Sequence, residues 1–248
     1  MRLAKYGKKQ WLAASVLLVL AAVLSGVLAV FGFLPGACFL LAAALVAWGL
    51  FLAFFRDPRR VVSQDMTELV SPADGVIRDI EFIPNDSCEE EVLREQFSGY
   101  DILRIGIAQS VFDVHIDRTP CGMTVTKKLA REKSSASSGE KGNKKESGSV
   151  LLCGTSSIRD TSFPVALRQI SNAGLKRISC APEEGDCLKK GAKIGMILFG
   201  CRTELYLPAK TPVSITGAVG EKVLAGKTVL AVFCGENARE ENAHDPHK

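Results

Sequence analysis

Two charge-free apolar runs at the start of the chain constrain its fold more than any other feature. Trp11 to Leu34 is apolar almost without interruption, Pro35-Gly36 breaks the run, and Ala37 to Phe55 continues it. At about 1.5 Å per helical residue, each run matches a bilayer core roughly 30 Å thick. A secretory signal has one shorter apolar stretch followed by a small-residue cleavage site. Two runs joined by a Pro-Gly turn instead predict a helical hairpin over residues 1–55 that crosses the membrane or re-enters it. Arg2, Lys5, Lys8 and Lys9 precede the hairpin, Arg56, Arg59 and Arg60 follow it, and the turn carries no charge. The positive-inside bias therefore puts both ends on the cytoplasmic side of the cell membrane, together with the polypeptide that follows.

The net charge of +4 belongs to this hairpin, which holds four basic residues and no acidic ones. The remainder is neutral overall, which excludes a polycationic nucleic-acid binder. The basic flanks suit a surface of anionic headgroups. The eight cysteines are scattered without a Cys-x-x-Cys pair, and two of the three histidines, His244 and His247, lie in a polar tail. That pattern argues against a zinc site and for reduced thiols.

Residues 56–236 have room for one domain, and its punctuation is that of β structure. Leu69-Val70 leads into the turn Ser71-Pro72-Ala73-Asp74-Gly75, after which Val76-Ile77 resumes an extended run. Ile102 to Ile107, Val111 to Ile116, Met196 to Phe199 and Thr203 to Leu207 read as further strands, while Val165 to Ala173 fits a helix or a strand equally. Gly185-Asp186-Cys187-Leu188-Lys189-Lys190-Gly191 is echoed by Gly220-Glu221-Lys222-Val223-Leu224-Ala225-Gly226, with glycines where turns need positive φ. Such paired turns are similar to the hammerheads of barrel-sandwich folds. The expected fold is thus a mainly β, barrel-sandwich-like domain behind a helical hairpin. Residues 131–149 are rich in Ser, Gly and Lys and predict a mobile loop, and 237–248 a frayed tail.

Three segments carry the chemistry: the Asp74 turn, Phe112-Asp113-Val114-His115, and Phe199-Gly200-Cys201-Arg202. A thiol placed directly after a glycine can attack the preceding carbonyl, because Gly200 adds no crowding and permits unusual backbone angles. An imidazole suits the base that takes the thiol proton, and a carboxylate can orient and charge-stabilise that imidazole. Taken singly, the same residues also read as a turn aspartate, a satisfied histidine and a small buried cysteine.

Together these segments resemble the phosphatidylserine decarboxylase family, in its short, archaeal-type branch. Phe54-Phe55-Arg56-Asp57-Pro58 and Ile116-Asp117-Arg118-Thr119-Pro120-Cys121-Gly122 extend the resemblance over about residues 50–235. The family cuts itself at a Gly-Ser bond and converts the serine to a pyruvoyl group. The resemblance implies that Asp74, His115 and Cys201 form the triad and that Gly200-Cys201 is the bond cut. It also implies that residue 201 becomes the pyruvoyl cofactor and forms a Schiff base with a serine phospholipid. The product would be an ethanolamine phospholipid, made by two fragments that stay associated at the membrane. Arg118 or Arg202 would hold the lipid phosphate. No metal is implied.

This chain departs from the family pattern at Cys201, which stands in place of serine, and in the Ser/Lys-rich loop, which replaces an Asn-Glu-Arg-like segment. A thiolate is the better nucleophile, but the shift from amide to thioester is more uphill than to an ester. Two other readings stay open: a non-processing relative that binds phospholipid, and a membrane-bound barrel-sandwich adaptor.

Overall fold

The computed structural model describes residues 2–132, 148–158, 161–172, 174–198, 201–209 and 213–233. It divides into two units, Met1–Arg59 and Arg60–Lys248.

The first unit is a helical hairpin. Helices α1 (Lys8–Val30) and α2 (Leu34–Phe54) follow a short strand β1 (Arg2–Leu3), which pairs antiparallel with β2 (Arg56–Asp57). Both helices are long and apolar enough to cross a bilayer, and they expose large apolar side chains such as Leu17, Val30 and Phe39. The break falls at Phe31–Phe33, where Gly32 takes a φ of +85°, and not at the expected Pro35-Gly36. Pro35 sits in the first turn of α2, where its missing N–H costs no helical bond. Two polar contacts clamp the helices: Ser25 Oγ donates to the Ala37 carbonyl at 2.6 Å, and Trp48 Nε1 to Ser15 Oγ at 3.2 Å.

The second unit is mainly β, as expected. Its elements are β3 (Glu68–Val70), β4 (Gly75–Ile83), α3 (Glu91–Gln96), β5 (Ile102–Ala108), β6 (Ile116–Arg118), β7 (Met123–Arg131), β8 (Gly148–Ile158) and β9 (Thr161–Ser171). There follow β10 (Ile178–Cys180), β11 (Cys187–Leu188), β12 (Lys193–Ile197), β13 (Cys201–Pro208), β14 (Val213–Ile215), β15 (Lys222–Val223) and β16 (Val229–Phe233). A curled eight-stranded antiparallel sheet runs β11-β7-β8-β9-β13-β5-β4-β15, and two three-stranded sheets run β10-β12-β6 and β14-β16-β3.

The large sheet is covered on both faces at its centre. Leu152, Val165, Leu167, Leu205 and Leu207 belong to the main core, while Leu151, Cys153, Ala166 and Tyr206 pack against Leu93 and Phe97 around α3. A strand buried on both faces loses its apolar/polar alternation. That is why Val165 to Ala173 looked equally helical; its residues up to Ser171 belong to β9. The expected strand from Val111 is also shorter than its apolar content suggests. Residues 111–115 form a turn and irregular backbone, and only Ile116–Arg118 is strand. The predicted loop lies mostly outside the described residues; its ends, Arg131 and Gly148-Ser149, are the ends of β7 and β8.

The repeated turns are equivalent in detail. Gly185 and Gly191 take φ of +92° and +72°, and Gly220 and Gly226 take +91° and +71°. Gly185 N–H donates to Val125 O at 2.9 Å, and Gly220 N–H to Ile77 O at 2.8 Å. Gly191 N–H donates to Thr119 O at 2.9 Å, and Gly226 N–H to Ser71 O at 2.8 Å. The equivalence extends to a second pair of segments that the sequence hides, Ser71–Ile77 and Thr119–Val125. They face each other through Arg118 N–H to Pro72 O at 2.7 Å and Val70 N–H to Pro120 O at 2.9 Å.

Candidate active site

The Asp74 turn is built by local bonds. Ser71 Oγ donates to Ala73 O at 2.7 Å, and Ser71 N–H reaches Thr228 O at 2.7 Å. Gly75 takes a φ of +147°, and a Cβ there would lie 2.2 Å from the Ala108 carbonyl oxygen, so no larger residue fits. The turn delivers Asp74 into the interior, 3 % exposed. Arg60 grips the carboxylate with both terminal nitrogens, Nη1 to Oδ1 at 2.5 Å and Nη2 to Oδ2 at 2.6 Å. The Ala225 N–H adds a bond to Oδ1 at 2.7 Å, so the second hammerhead turn also holds the acid. Arg60 Nη1 in turn donates to Ala225 O at 2.7 Å. Bidentate pairing of this kind fixes direction as well as charge.

His115 is buried at the head of β6, and its carbonyl accepts the Ile197 N–H at 3.2 Å. Two residues on, Asp117 is completely buried. Its Oδ1 accepts Gln109 Nε2 at 3.0 Å, and its Oδ2 accepts Gln169 Nε2 at 2.7 Å and Thr203 Oγ1 at 3.1 Å. Burial pushes the Asp117 carboxyl up to about 7; the three hydrogen bonds pull against that rise, and the nearby Asp74 charge adds to it. Asp74 and Asp117 therefore share one electrostatic environment.

Cys201 is the first residue of β13 and pairs with Ser171 across the sheet. Gly200, the other half of the expected scissile bond, lies outside the described residues. The two arginines expected at the phosphate have defined surroundings. Arg118 Nη1 donates to the Gly191 carbonyl at 3.0 Å, and its Cδ lies 3.0 Å from where a Cβ on Gly226 would stand, so it wedges between the two hammerhead turns. Arg202 donates through Nε to Glu204 at 2.9 Å and through Nη2 to Asp79 at 2.9 Å. It joins an ionic array with Arg104, Glu81, Arg168 and Glu90.

A family model described as phosphatidylserine decarboxylase matches residues 48–231, a stretch that contains Arg60, Asp74, His115, Asp117 and Cys201. The chain belongs to the phosphatidylserine decarboxylase family. Over 194 residues it is 35% identical to the phosphatidylserine decarboxylase proenzyme of Desulfotalea psychrophila, covering 77% of this chain and 81% of that protein. The proenzymes of Erythrobacter litoralis and Geotalea daltonii are 35% and 32% identical over 207 and 222 residues. These alignments cover 79% and 86% of this chain, and 80% and 91% of those proteins. No solved structure matches the chain.

The sequence reading missed Arg60, Asp117, Gln109, Gln169 and Thr203. Two of them carried a usable signal, since Asp117 and Thr203 each stand two residues from a residue already singled out. In the strand expected up to Ile116, side chains repeat every second residue, which would have pointed from His115 to Asp117. Gln109 and Gln169 offered no such clue, because they arrive from the end of β5 and from β9 through tertiary pairing alone.

Proposed function

We propose that the chain is a proenzyme that cuts itself at Gly200-Cys201 and, once mature, decarboxylates phosphatidylserine to phosphatidylethanolamine at the membrane. Family membership supports the reaction class. The observation that carries the self-processing is the position of residue 201 at the head of a central strand. β13 lies between β9 and β5, β15 is stitched to β4, and β16 to β3. A chain cut just before Cys201 would therefore keep its C-terminal piece woven into two of the three sheets of this unit, so that the fragments stay together without a covalent link.

The balance of the cut is as follows. The Cys201 thiol loses its proton to His115, and sulfur adds to the Gly200 carbonyl carbon. The Gly200–Cys201 amide C–N bond breaks as the nitrogen takes a proton, leaving a thioester. Loss of the residue 201 Cα proton then breaks the Cβ–S bond. The upstream piece leaves as a thiocarboxylate, which water converts to a carboxylate with release of hydrogen sulfide, and residue 201 becomes dehydroalanine. Addition of water and release of ammonia give the pyruvoyl group. When present, that group supplies a carbonyl that draws electrons from a bound amino acid headgroup as carbon dioxide leaves. Asp74, fixed by Arg60 and Ala225, contributes the charge that favours the protonated imidazole.

The helical hairpin suits a lipid substrate because it keeps the enzyme at the headgroup layer. The basic residues outside both helix ends favour a cytoplasmic location for the processed unit. The test is the intact mass of the purified chain in detergent. A fragment of residues 1–200 and a pyruvoyl-headed remainder are expected. A single uncut chain without decarboxylase activity overturns the reading in favour of a non-processing lipid-binding relative.

A further inference from the structure

Asp117 is a buried carboxylate without an ion-pair partner among the described residues, and it is tied to two strands and to the residue that follows a third. Gln169 and Thr203 are cross-strand partners on β9 and β13, and both donate to Oδ2, while Gln109 follows β5 directly. Asp117 itself stands on β6, in the small sheet that faces them. Thr203 is two residues after Cys201, and Asp117 is two residues after His115.

The fold contains its own control for this position. β3 is the counterpart of β6 in the other half of the domain. Val229 pairs with Val70, Ala231 with Leu69 and Val232 with Glu68; Lys193 pairs with Arg118, Gly195 with Asp117 and Met196 with Ile116. Both pairings carry the same register shift. Leu69 thus occupies the place of Asp117, and it is a fully buried member of the main core. Packing in this fold is satisfied there by leucine. A carboxylate in the same place must overcome desolvation, so its presence calls for a reason other than stability.

We propose that Asp117 is a positioning residue for self-processing: through Thr203 and Gln169 it fixes the strand that begins at Cys201 against the strand that directly follows His115. The role rests on the self-cleavage reading above. Attack on the preceding carbonyl needs placement within a fraction of an ångström, and a 1 Å error can cost about a hundredfold in rate. One carboxylate bonded to both donors of a cross-strand pair supplies that constraint from the opposite sheet.

The experiment follows the intact mass of the full-length chain in detergent against time for wild type, Asp117→Ala, Asp117→Asn and Thr203→Val. Thermal unfolding of each variant reports whether the fold is kept. Asp117→Ala is expected to cut at least about tenfold more slowly. Asparagine is expected to rescue the rate, because its carbonyl can still accept from Gln169 and Thr203 while its amide faces Gln109. Thr203→Val, which keeps size and shape on β13, is expected to slow the cut severalfold. A folded Asp117→Ala chain that cuts at the wild-type rate overturns the role, and so does a folded Asp117→Asn chain as slow as alanine. If Asp117→Ala does not fold, an unchanged rate in Thr203→Val overturns it. Failure of the underlying reading looks different: the wild-type chain itself stays uncut, and the positioning role falls with it.

Discussion

Replacing Asp117 by asparagine is expected to stabilise the folded chain above pH 7 and to change little below pH 4. Burial raises the carboxyl from 3.8 to about 7. Between those values the folded chain holds a proton that the unfolded chain has already released. Stability therefore falls as pH rises through this window, and the loss is complete above about 7. At roughly 1.4 kcal/mol per pH unit, the gap corresponds to about 4 kcal/mol at pH 8. Asparagine carries no charge to desolvate and preserves the bonds. Its carbonyl replaces Oδ2, and its amide faces Gln109, whose Oε1 is buried without a hydrogen-bond partner and becomes the acceptor once the amide turns over. The assay is the difference in Tm between the two chains in matched buffers from pH 4 to 8, so that titrations common to both cancel. At about 2–4 °C per kcal/mol for a chain of this size, the difference should grow from near zero to about 8 °C or more. A difference that is flat with pH, or an asparagine chain less stable at pH 8, would refute the argument that the ionised carboxylate is a net cost.

Other changes probe the rest of the site. Cys201→Ser is expected to accelerate maturation, since the ester intermediate is less uphill than the thioester and oxygen is smaller; the time course of intact mass reads this directly, and an uncut serine chain would point to the altered 131–149 segment instead. His115→Ala and Asp74→Asn are each expected to leave the chain uncut, and normal cleavage in either removes that residue from the mechanism. Arg60→Met leaves the Asp74 carboxylate buried with one backbone donor and is expected to cost about 3–5 kcal/mol in thermal or denaturant unfolding. Adding Asp74→Asn should recover part of that loss, and strictly additive costs would show that the pair is not coupled.

The elements that the sequence made legible were those with a local signature. The hairpin was visible because a bilayer demands long charge-free runs, and the hammerhead turns because φ near +70° and +90° selects glycine. Asp74 stood out because a tight turn ending in Gly75 frames it. Illegible parts depended on distant partners. The helix break moved to Phe31–Phe33 because proline is welcome in the first turn of the next helix. Val165 to Ser171 read ambiguously because both its faces are covered, one by the main core and one by the α3 cluster. Arg60 gave no hint of its place: as a basic residue after the hairpin it looked like a membrane flank, yet it grips a carboxylate inside the domain.

The internal equivalence of the domain separates what the fold needs from what the chemistry needs. Ile197 N–H donates to His115 O in one half, and Phe233 N–H donates to Thr67 O in the other. His115 thus stands where the other half has threonine, Asp117 where it has Leu69, and Asp74 where it has Gly122. The bond to the carbonyl is the same at His115 and Thr67, and the strand pairing is the same at Asp117 and Leu69, so both backbone courses are compatible with a residue that does not ionise. The main-chain scaffold therefore tolerates non-ionisable residues at these two places, and burial of ionisable groups there gains nothing for the core. Each half supplies part of the set: Asp74 comes from the first, His115 and Asp117 from the second. The crossed bonds between residues 70–72 and 118–120 join the two halves beside these segments. A chain with only one half would have one set of turns and strands and would lack either Asp74 or the pair His115 and Asp117. Under the proposed mechanism the paired architecture would have a chemical consequence: one half carries the carboxylate turn and its copy carries the candidate base.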